Sequence, residues 1–315
     1  MSLLNVREKY RQPEVVEFWR QFSTQGLQTC EEVMLARYAP PPARILDLGC
    51  GSGRAGLSLE PRGYRVTGLD LTWEMLCAAL ELYKQQGLDP RLVQADLRAI
   101  PSAAASYDVA LVFIAALQHI PGQGARRQVF AEVARVLRPH GVLLLALDNL
   151  APALTCFGYW GWRRLASIAA LRRFSPAAPS TRYGALPSPL PVQPTPADSL
   201  LAARRTGTQR LAWHLHGMAR TLRWRTWNGF IDVGRKVRLT GGQVGDTAIR
   251  QVSADSTPGL VYYHLYRHKE LVADAATAGF KLMGYHSGAE LSEGQDFAPR
   301  ARQLDKQVLY AFRRL

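Results

Sequence analysis

The stretch of sequence that decides the fold runs Ile45-Leu46-Asp47-Leu48-Gly49-Cys50-Gly51-Ser52-Gly53-Arg54. Its short apolar run predicts a buried strand, and three glycines follow at every second position. A helix-like segment comes next, and then a second strand, Arg65–Leu69, which leads into the acid Asp70. This order predicts a βαβ unit with a tight glycine turn at the carboxyl end of its first strand. Glycine suits such a turn because a side chain would keep the backbone away from a bound ligand.

Two kinds of nucleoside cofactor compete for this turn. The run Gly51-Ser52-Gly53-Arg54-Ala55-Gly56 is a literal G-x-G-x-x-G, the pattern of dinucleotide-binding folds. In that pattern the first glycine lies directly at the strand end, which here is Gly49, and the third position then falls on Arg54, where a small residue is needed. Asp47 would also repel a pyrophosphate. It suits a cationic group instead, and S-adenosylmethionine (SAM) has an ammonium group, a ribose diol for Asp70 and no phosphate.

The order Asp47-x-Gly49-x-Gly51-x-Gly53 closely resembles the glycine motif of class I SAM-dependent methyltransferases. The resemblance, to a type 11-like core, extends over residues 40–150. Tyr107–Phe113 is similar to the fourth strand of that family, whose end lies beneath the transferable methyl group. Val133–Gly141 is similar to the helix and turn before the fifth strand, Val142–Leu147. The resemblance implies an α/β fold with a Rossmann-like seven-stranded sheet, a last hairpin that is antiparallel, and SAM as the cofactor.

The same resemblance implies which residues bind SAM. Asp47 and Gly49 are expected to hold the methionine part, and Gly51 to leave room for the backbone to approach. Asp70 is expected to bind the ribose hydroxyls. The remaining expected contacts, to the adenine or beneath the methyl group, are Leu71, Met75, Asp96, Leu97 and Phe113. For Met75, plain core packing is an equal alternative.

Two histidines are candidates for a general base. His119, in Ala116–Ile120 just past the fourth strand, is the first, because an imidazole titrates near neutrality. His264, in Val261–Tyr266, is the second and lies on a segment that could fold back over the pocket. The alternatives stay open: His119 as a hydrogen-bonded structural histidine, and the tyrosine cluster around His264 as ordinary core. No metal site is predicted.

A finer resemblance concerns the methyl acceptor. Tyr262–Tyr266, Glu270-Leu271 and Ala278–Phe280 are similar to the closing segment of methyltransferases that esterify the carboxymethyl group of wobble uridines in tRNA. Ile114–His119 is similar to that family as well. The family more often has a pair of histidines where this chain has Gln118-His119. The resemblance implies RNA, and tRNA in particular, as the acceptor.

The positive charge is concentrated in one segment. Residues 151–250 contain 15 Lys and Arg against three acids, whereas the rest of the chain has 24 bases and 22 acids. Five of the seven tryptophans share this segment, and Arg223–Trp227 alternates bases with aromatic rings. Such a pattern can hold phosphates and stack on exposed bases. Cation-π packing within an ordinary lid, or a helix at 157–174 lying on a membrane surface, would use the same residues. RNA is therefore the first predicted partner and a small or lipid-associated molecule the second, with no sign of DNA specificity.

Four segments are predicted along the chain. They are an N-terminal helical cover at 1–40, a SAM-binding core at 41–150, a basic insertion or lid at 151–250 and a C-terminal completion of the fold at 251–315. The core includes a helix from Trp73 to Gln85 with Thr72 as its cap. The insertion contains a Pro-rich loop at 175–199 with seven prolines. The completion has one or two helices' worth of chain, with a helix at Lys269–Ala278 and strands at Phe280–His286 and Gln307–Phe312.

Composition suggests a reducing compartment. The four cysteines, at 30, 50, 77 and 156, have neither metal-ligand spacing nor a disulfide framework. The N-terminal residues carry charges throughout, unlike a signal peptide. The most apolar window outside the sheet, Leu150–Trp162, is shorter than the roughly 20 residues that a membrane span needs. A cytoplasmic protein is expected, with peripheral membrane contact as an open option.

Overall fold

The computed structural model describes residues 3–114, 116–148, 246–249, 260–294, 302, 305 and 307–315. Except for 246–249, the predicted basic insertion lies outside these residues, together with its Pro-rich loop and its five tryptophans. The described strands are β1 (Leu3–Leu4), β2 (Arg44–Leu48), β3 (Arg65–Asp70), β4 (Arg91–Gln94), β5 (Tyr107–Val112), β6 (Leu137–Asp148), β7 (Asp246–Ile249), β8 (Leu260–His264), β9 (Phe280–Ser287) and β10 (Gln307–Arg314). The described α-helices are α1 (Val6–Tyr10), α2 (Pro13–Ser23), α3 (Thr29–Tyr38), α4 (Arg54–Leu59), α5 (Trp73–Gln85), α6 (Gln123–Val136), α7 (His268–Ala276) and α8 (Gly288–Glu293).

A seven-stranded sheet is the centre of the molecule, in the order β4-β3-β2-β5-β6-β10-β9. The strands from β4 to β6 are parallel to their neighbours, as expected when helices connect them. β10 runs antiparallel to both β6 and β9. The predicted Rossmann-like sheet with an antiparallel last hairpin is therefore confirmed, and the order of the strands reverses between β2 and β5, beside the glycine turn.

Helices cover both faces of this sheet. On one face α6 and α7 bury apolar side chains such as Val129, Phe130 and Leu271 against it. On the other face α3 and α4 do the same with Met34 and Leu59. The helix predicted after Thr72 has the predicted bounds, and its apolar face is buried. Among the described residues, no helix is long and apolar enough to cross a membrane.

The start of β6 differs from the prediction. The sequence predicts a turn up to Gly141 and a strand from Val142, but α6 ends at Val136 and β6 begins at the next residue. Leu137 already pairs with Tyr107, and the register then shifts before the pairing continues. His140 has a φ of +63° within this irregular stretch. The turn is thus absorbed into the strand as a kink.

The N-terminal region differs as well. Residues up to 40 form three helices, where one or two were predicted, and a short strand precedes them. That strand, β1, pairs in parallel with β8, and β8 pairs with β7 in the opposite direction. The sequence did not predict this three-stranded second sheet. It contacts the 3-10 turn Ala116–His119 that follows β5, so the tyrosine-rich segment does return to the carboxyl edge of the main sheet.

Candidate active site

The glycine turn lies where β2 ends, at the carboxyl edge of the parallel strands. Gly49 has a φ of +75°, and a Cβ atom there would lie 2.4 Å from the Cβ of Ala116, in the turn after β5. Gly51 also has a positive φ, +53°, but a Cβ on it would meet no atom within 4 Å. The backbone at Gly51 therefore borders open space, as a turn that approaches a ligand closely requires.

Asp70 is half-buried at the end of β3 and faces this turn. Its Oδ2 accepts a hydrogen bond from the Gly51 N–H at 2.9 Å, and its Oδ1 accepts one from the Thr72 N–H at 2.8 Å. Burial raises the pKa of Asp70, although these N–H groups oppose the shift. Each carboxylate oxygen keeps a second lone pair. Asp70 is therefore held rigidly and can still accept hydrogen bonds from a diol.

Asp47 is the group in the site with the least satisfied chemistry. It is buried in β2, and its carboxylate makes no hydrogen bond with another described residue. Burial raises the pKa of Asp47 to about 7; the Arg54 charge opposes this, whereas Glu31 and Asp70 add to it. A buried carboxylate without a partner is costly. The ammonium group of an amino acid would satisfy it, so the donor set of Asp47, Asp70 and the open Gly51 fits SAM.

Arg54 does not neutralise Asp47 because it is engaged elsewhere. Its guanidinium pairs with Glu31 of α3 through two hydrogen bonds, of 2.6 and 2.8 Å, and both side chains are buried. It also donates to the Gly26 carbonyl at 3.2 Å and lies over the Phe22 ring, 5.4 Å from its centroid. The residue that excludes a dinucleotide fingerprint thus ties the N-terminal helices to the glycine turn.

Asp96 follows β4 and is more exposed than expected for an adenine contact. Arg98 donates to both of its carboxylate oxygens, at 2.9 and 2.6 Å, and the Arg98 N–H adds a third hydrogen bond of 2.8 Å. These hydrogen bonds lower the pKa of Asp96. An adenine amino group would have to share an oxygen that Arg98 already uses, and the expected contact stays a prediction.

The apolar candidates are divided between the pocket edge and the core. Leu71 and Leu97 are half-buried near the ends of β3 and β4. Met75 is only 1% exposed, and its sulfur accepts a weak hydrogen bond from the Ser52 hydroxyl at 3.6 Å. Phe113 is buried in the core beneath α3 and α4. Met75 and Phe113 therefore have the environment of core residues, which favours the packing alternative for Met75.

Residues 45–141 match a family described as a methyltransferase domain. The chain carries a class I SAM-dependent methyltransferase domain. The fold agrees: the structure of a SAM-dependent methyltransferase from Methanosarcina mazei superposes with a TM-score of 0.54 and 18% identity, covering 90% of this chain and 97% of that one. SAM is the cofactor of this class of domain.

Two relatives of the methyltransferase domain have named activities. A malonyl-[acyl-carrier protein] O-methyltransferase of Enterobacter lignolyticus is 39% identical over 111 residues, 34% of this chain and 41% of that protein. A ubiquinone biosynthesis O-methyltransferase of Xanthomonas axonopodis pv. citri is 31% identical over 143 residues, 44% of this chain and 56% of that protein. The chain thus spans about half the length of the curated relatives it matches. Neither is named for RNA, and the tRNA acceptor stays a prediction.

His119 lies in the 3-10 turn after β5, at the edge where the methyltransferase domain has its glycine turn. It is buried, and its Nδ1 lies 3.0 Å from the Tyr262 carbonyl oxygen. Its Nε2 lies 2.8 Å from the Tyr10 hydroxyl. Burial lowers the pKa of His119 to about 4, although the Tyr262 carbonyl opposes the shift. Because both ring nitrogens have partners, His119 can reach an acceptor only through Tyr10.

Gln118 explains why a second histidine is not needed beside His119. Its buried amide nitrogen donates to the carbonyls of Asp148 and His264, at 3.0 and 2.9 Å. Its amide oxygen accepts from the Asp148 N–H at 2.9 Å and from the Tyr263 hydroxyl at 3.0 Å. An amide offers two donors and an acceptor oxygen in one plane, which an imidazole cannot do. Gln118 thus fastens β8 to the end of β6.

His264 is fully buried between two carboxylates, which makes it unavailable as a base. Its Nδ1 lies 2.7 Å from an Asp246 oxygen and its Nε2 lies 2.8 Å from a Glu270 oxygen. Arg126, also fully buried, approaches Glu270 at 3.6 Å and donates to the Tyr262 hydroxyl at 3.0 Å. Burial would raise the pKa of Glu270, but the hydrogen bond and charge of His264, with Arg126, bring it below its ordinary value. This cluster holds the second sheet against α6 and α7.

Sequence reasoning missed the partners of both histidines. Tyr10 lies 109 positions from His119, and Arg126 lies 136 positions from Tyr262. Neither partner belongs to a motif or shows an unusual local spacing. Only the alternation of charged and aromatic residues in β8 signals that this strand carries buried polar contacts.

Proposed function

We propose that this chain transfers a methyl group from SAM to an oxygen atom of a small acceptor molecule. The observation that carries the proposal is Asp47, a buried carboxylate without a hydrogen bond from any described residue, beside the open backbone of Gly51 and the fixed carboxylate of Asp70. These three features match the ammonium group, the close backbone approach and the ribose diol of SAM.

The chain's own residues have three tasks in such a reaction. Asp47 and Asp70 bind the cofactor, the glycine turn gives it room, and the N-terminal helices close the site from above. When bound, SAM supplies a methyl group on a positively charged sulfur. The protein gains rate chiefly by positioning the acceptor against that group and excluding water. Oxygen is the proposed acceptor atom because both named relatives are O-methyltransferases.

Calorimetric titration with SAM tests the cofactor half of the proposal. We expect binding to the full chain, and weaker binding to Asp70→Asn, because a neutral amide replaces the carboxylate expected to hold the ribose. Asp89→Asn, at an exposed acid outside the site, is the matched control. A chain that binds neither SAM nor its demethylated product would refute the function.

A second acceptor is favoured by one observation, the concentration of 15 bases in residues 151–250. RNA binding through such a segment loses affinity steeply with salt because counterions are released. Labelled SAM should be offered in parallel with total tRNA and with bacterial metabolite extract, at roughly 50 and 200 mM salt. Label in the metabolites supports the proposal, whereas salt-sensitive label in tRNA would replace the small acceptor with RNA.

A further inference from the structure

Tyr10 and Arg11, at the end of α1, reach across the carboxyl edge of the sheet. The Tyr10 hydroxyl lies 2.8 Å from the His119 Nε2, and Arg11 pairs with Glu74 at 3.3 Å. His119 follows β5 and Glu74 begins α5 after β3, and β2 lies between these strands. Two strand spacings amount to about 10 Å. The end of α1 therefore lies over the end of β2, which is where the glycine turn begins.

The hydrogen bonds of His119 fix the position of its proton. A carbonyl oxygen only accepts, so the Nδ1 that faces Tyr262 at 3.0 Å must carry a hydrogen. The Nε2 of a neutral ring is then an acceptor, and the Tyr10 hydroxyl donates to it at 2.8 Å. The ring of Tyr10 meets that of His119 edge to face, with centroids 5.4 Å apart. The half-buried Tyr10 oxygen keeps a lone pair that can accept a hydrogen bond from a bound molecule.

We propose that Tyr10 is a catalytic residue that takes the proton of an acceptor hydroxyl and passes its own proton to His119. The proposal rests on the proposed function and narrows the acceptor to a molecule with a phenolic or similar hydroxyl. A carboxylate acceptor has no proton to lose and would leave this pair without a task.

The proposed step balances as follows. The acceptor oxygen forms a bond to the methyl carbon, and the electron pair of the broken carbon–sulfur bond stays on sulfur. The acceptor proton moves to the Tyr10 oxygen as the Tyr10 proton moves to Nε2 of His119. The products are the methyl ether, the neutral thioether and an imidazolium, so the single positive charge passes from sulfur to His119.

The burial of His119 suits this exchange. Desolvation lowers the pKa of His119 to about 4, so the ring is neutral and ready to accept before the reaction. A nearby sulfonium would add to this effect, and its loss would remove one obstacle to the imidazolium. The alternative is that Tyr10 and His119 only fasten α1 to the turn after β5.

Two measurements without any acceptor test the geometry. Calorimetry shows whether Tyr10→Phe still binds SAM, and failure of the wild type to bind would refute the proposed function rather than this step. Nitrogen NMR of the His119 ring in the SAM complex is expected to show a neutral ring protonated on Nδ1, with a change at Nε2 in Tyr10→Phe. A ring protonated on Nε2 would overturn the proton path.

A series of substituted phenols, from phenol to para-nitrophenol, tests the chemistry. General-base groups contribute about 100-fold or more to rate. Tyr10→Phe should therefore lose about that factor in kcat/KM with phenol and little with para-nitrophenol, which is largely ionised at slightly alkaline pH. Equal losses along the series, or none, would show a structural role. Failure of every phenol despite SAM binding would overturn the acceptor class.

Tyr38→Phe is the matched control for these experiments. The Tyr38 hydroxyl lies 2.9 Å from the Nε2 of His286, so it repeats the same tyrosine–histidine contact between α3 and β9. It therefore reports the general cost of losing such a hydrogen bond. We expect no dependence on the acidity of the phenol in this variant, and such a dependence would overturn the assignment to Tyr10.

Discussion

Two buried acidic clusters lie along the same edge of the sheet, and they differ in how fully their charges are paired. Around His264, the carboxylates of Asp246 and Glu270 each face an imidazole nitrogen, and Arg126 adds a further positive charge. At the glycine turn, the buried Asp47 has no hydrogen bond from a described residue, and Arg54 is engaged by Glu31. The first cluster is complete without a ligand.

The difference separates residues that build the fold from residues that await a ligand. A paired buried charge is strongly destabilising when one partner is removed, because the other partner is left uncompensated. An unpaired buried carboxylate costs stability in the free protein and regains it when a cation binds. Variants in the two clusters should therefore move stability and cofactor affinity in different ways.

The largest effect is expected when the paired cluster is broken. Arg126→Met removes the buried positive charge but keeps most of the side-chain volume, so the free energy of unfolding should fall by about 3–5 kcal/mol. Urea denaturation followed by circular dichroism measures the loss. Arg62→Met is the matched control, because Arg62 and its partner Glu32 are both exposed, and it should cost no more than about 1 kcal/mol. Equal costs in the two variants would contradict the contrast.

The next largest effect is expected at the unpaired carboxylate. Asp47→Asn should weaken SAM binding by about 10- to 100-fold, since hydrogen bonds to charged groups contribute about 1.5–3 kcal/mol. Calorimetric titration measures the affinity, and Asp89→Asn should leave it unchanged.

The same variant should stabilise the free protein. The folded-state pKa of Asp47 is raised to about 7, so the wild type loses stability from this group as the pH rises from the unfolded-state value. Above that folded-state pKa, Asp47→Asn should therefore be more stable by up to about 4 kcal/mol. A variant that loses both affinity and stability would show that Asp47 already has a partner in the free protein.

A pair of glycines separates the strain of the turn from the room it leaves. Gly51 has a φ of +53° and Gly87 a φ of +67°, and a Cβ on either would meet no atom within 4 Å. Replacement by alanine should cost each site about 1–2 kcal/mol of stability, because the left-handed conformation is unfavourable with a Cβ. Only Gly51→Ala should also lower SAM affinity, by tenfold or about 1.4 kcal/mol. Equal affinities would mean that the cofactor does not approach Gly51.

The cofactor side of the site was predictable because its signals are local. The glycines, Asp47 and Asp70 lie within one βαβ unit, where strand, turn and helix chemistry determine the position of each residue. The main sheet was predictable for the same reason, as each strand has its own apolar run bounded by turn residues.

The other side of the site depends on contacts between residues far apart in the chain. The pairing of β1 with β8 joins the N-terminus to residues 260 and 261, and no local pattern announces it. The engagement of Arg54 by Glu31 and of His119 by Tyr10 likewise arises only once the N-terminal helices are in place. His119 and His264 could be named as candidates from the sequence, but their partners could not.

The smallest predicted effect is the pH dependence of SAM binding, and it gives the closest view of Asp47. Because burial raises the pKa of Asp47 to about 7, the carboxyl of the free protein holds a proton below that pH and must release it to bind an ammonium group. SAM affinity should therefore rise by at most tenfold per pH unit up to that value and then level off. Calorimetry in buffers of different ionisation enthalpy should show release of up to one proton per SAM at acidic pH. Asp47→Asn should remove both the slope and the proton release; a slope that persists would assign the titration to Asp70, whose pKa burial also raises.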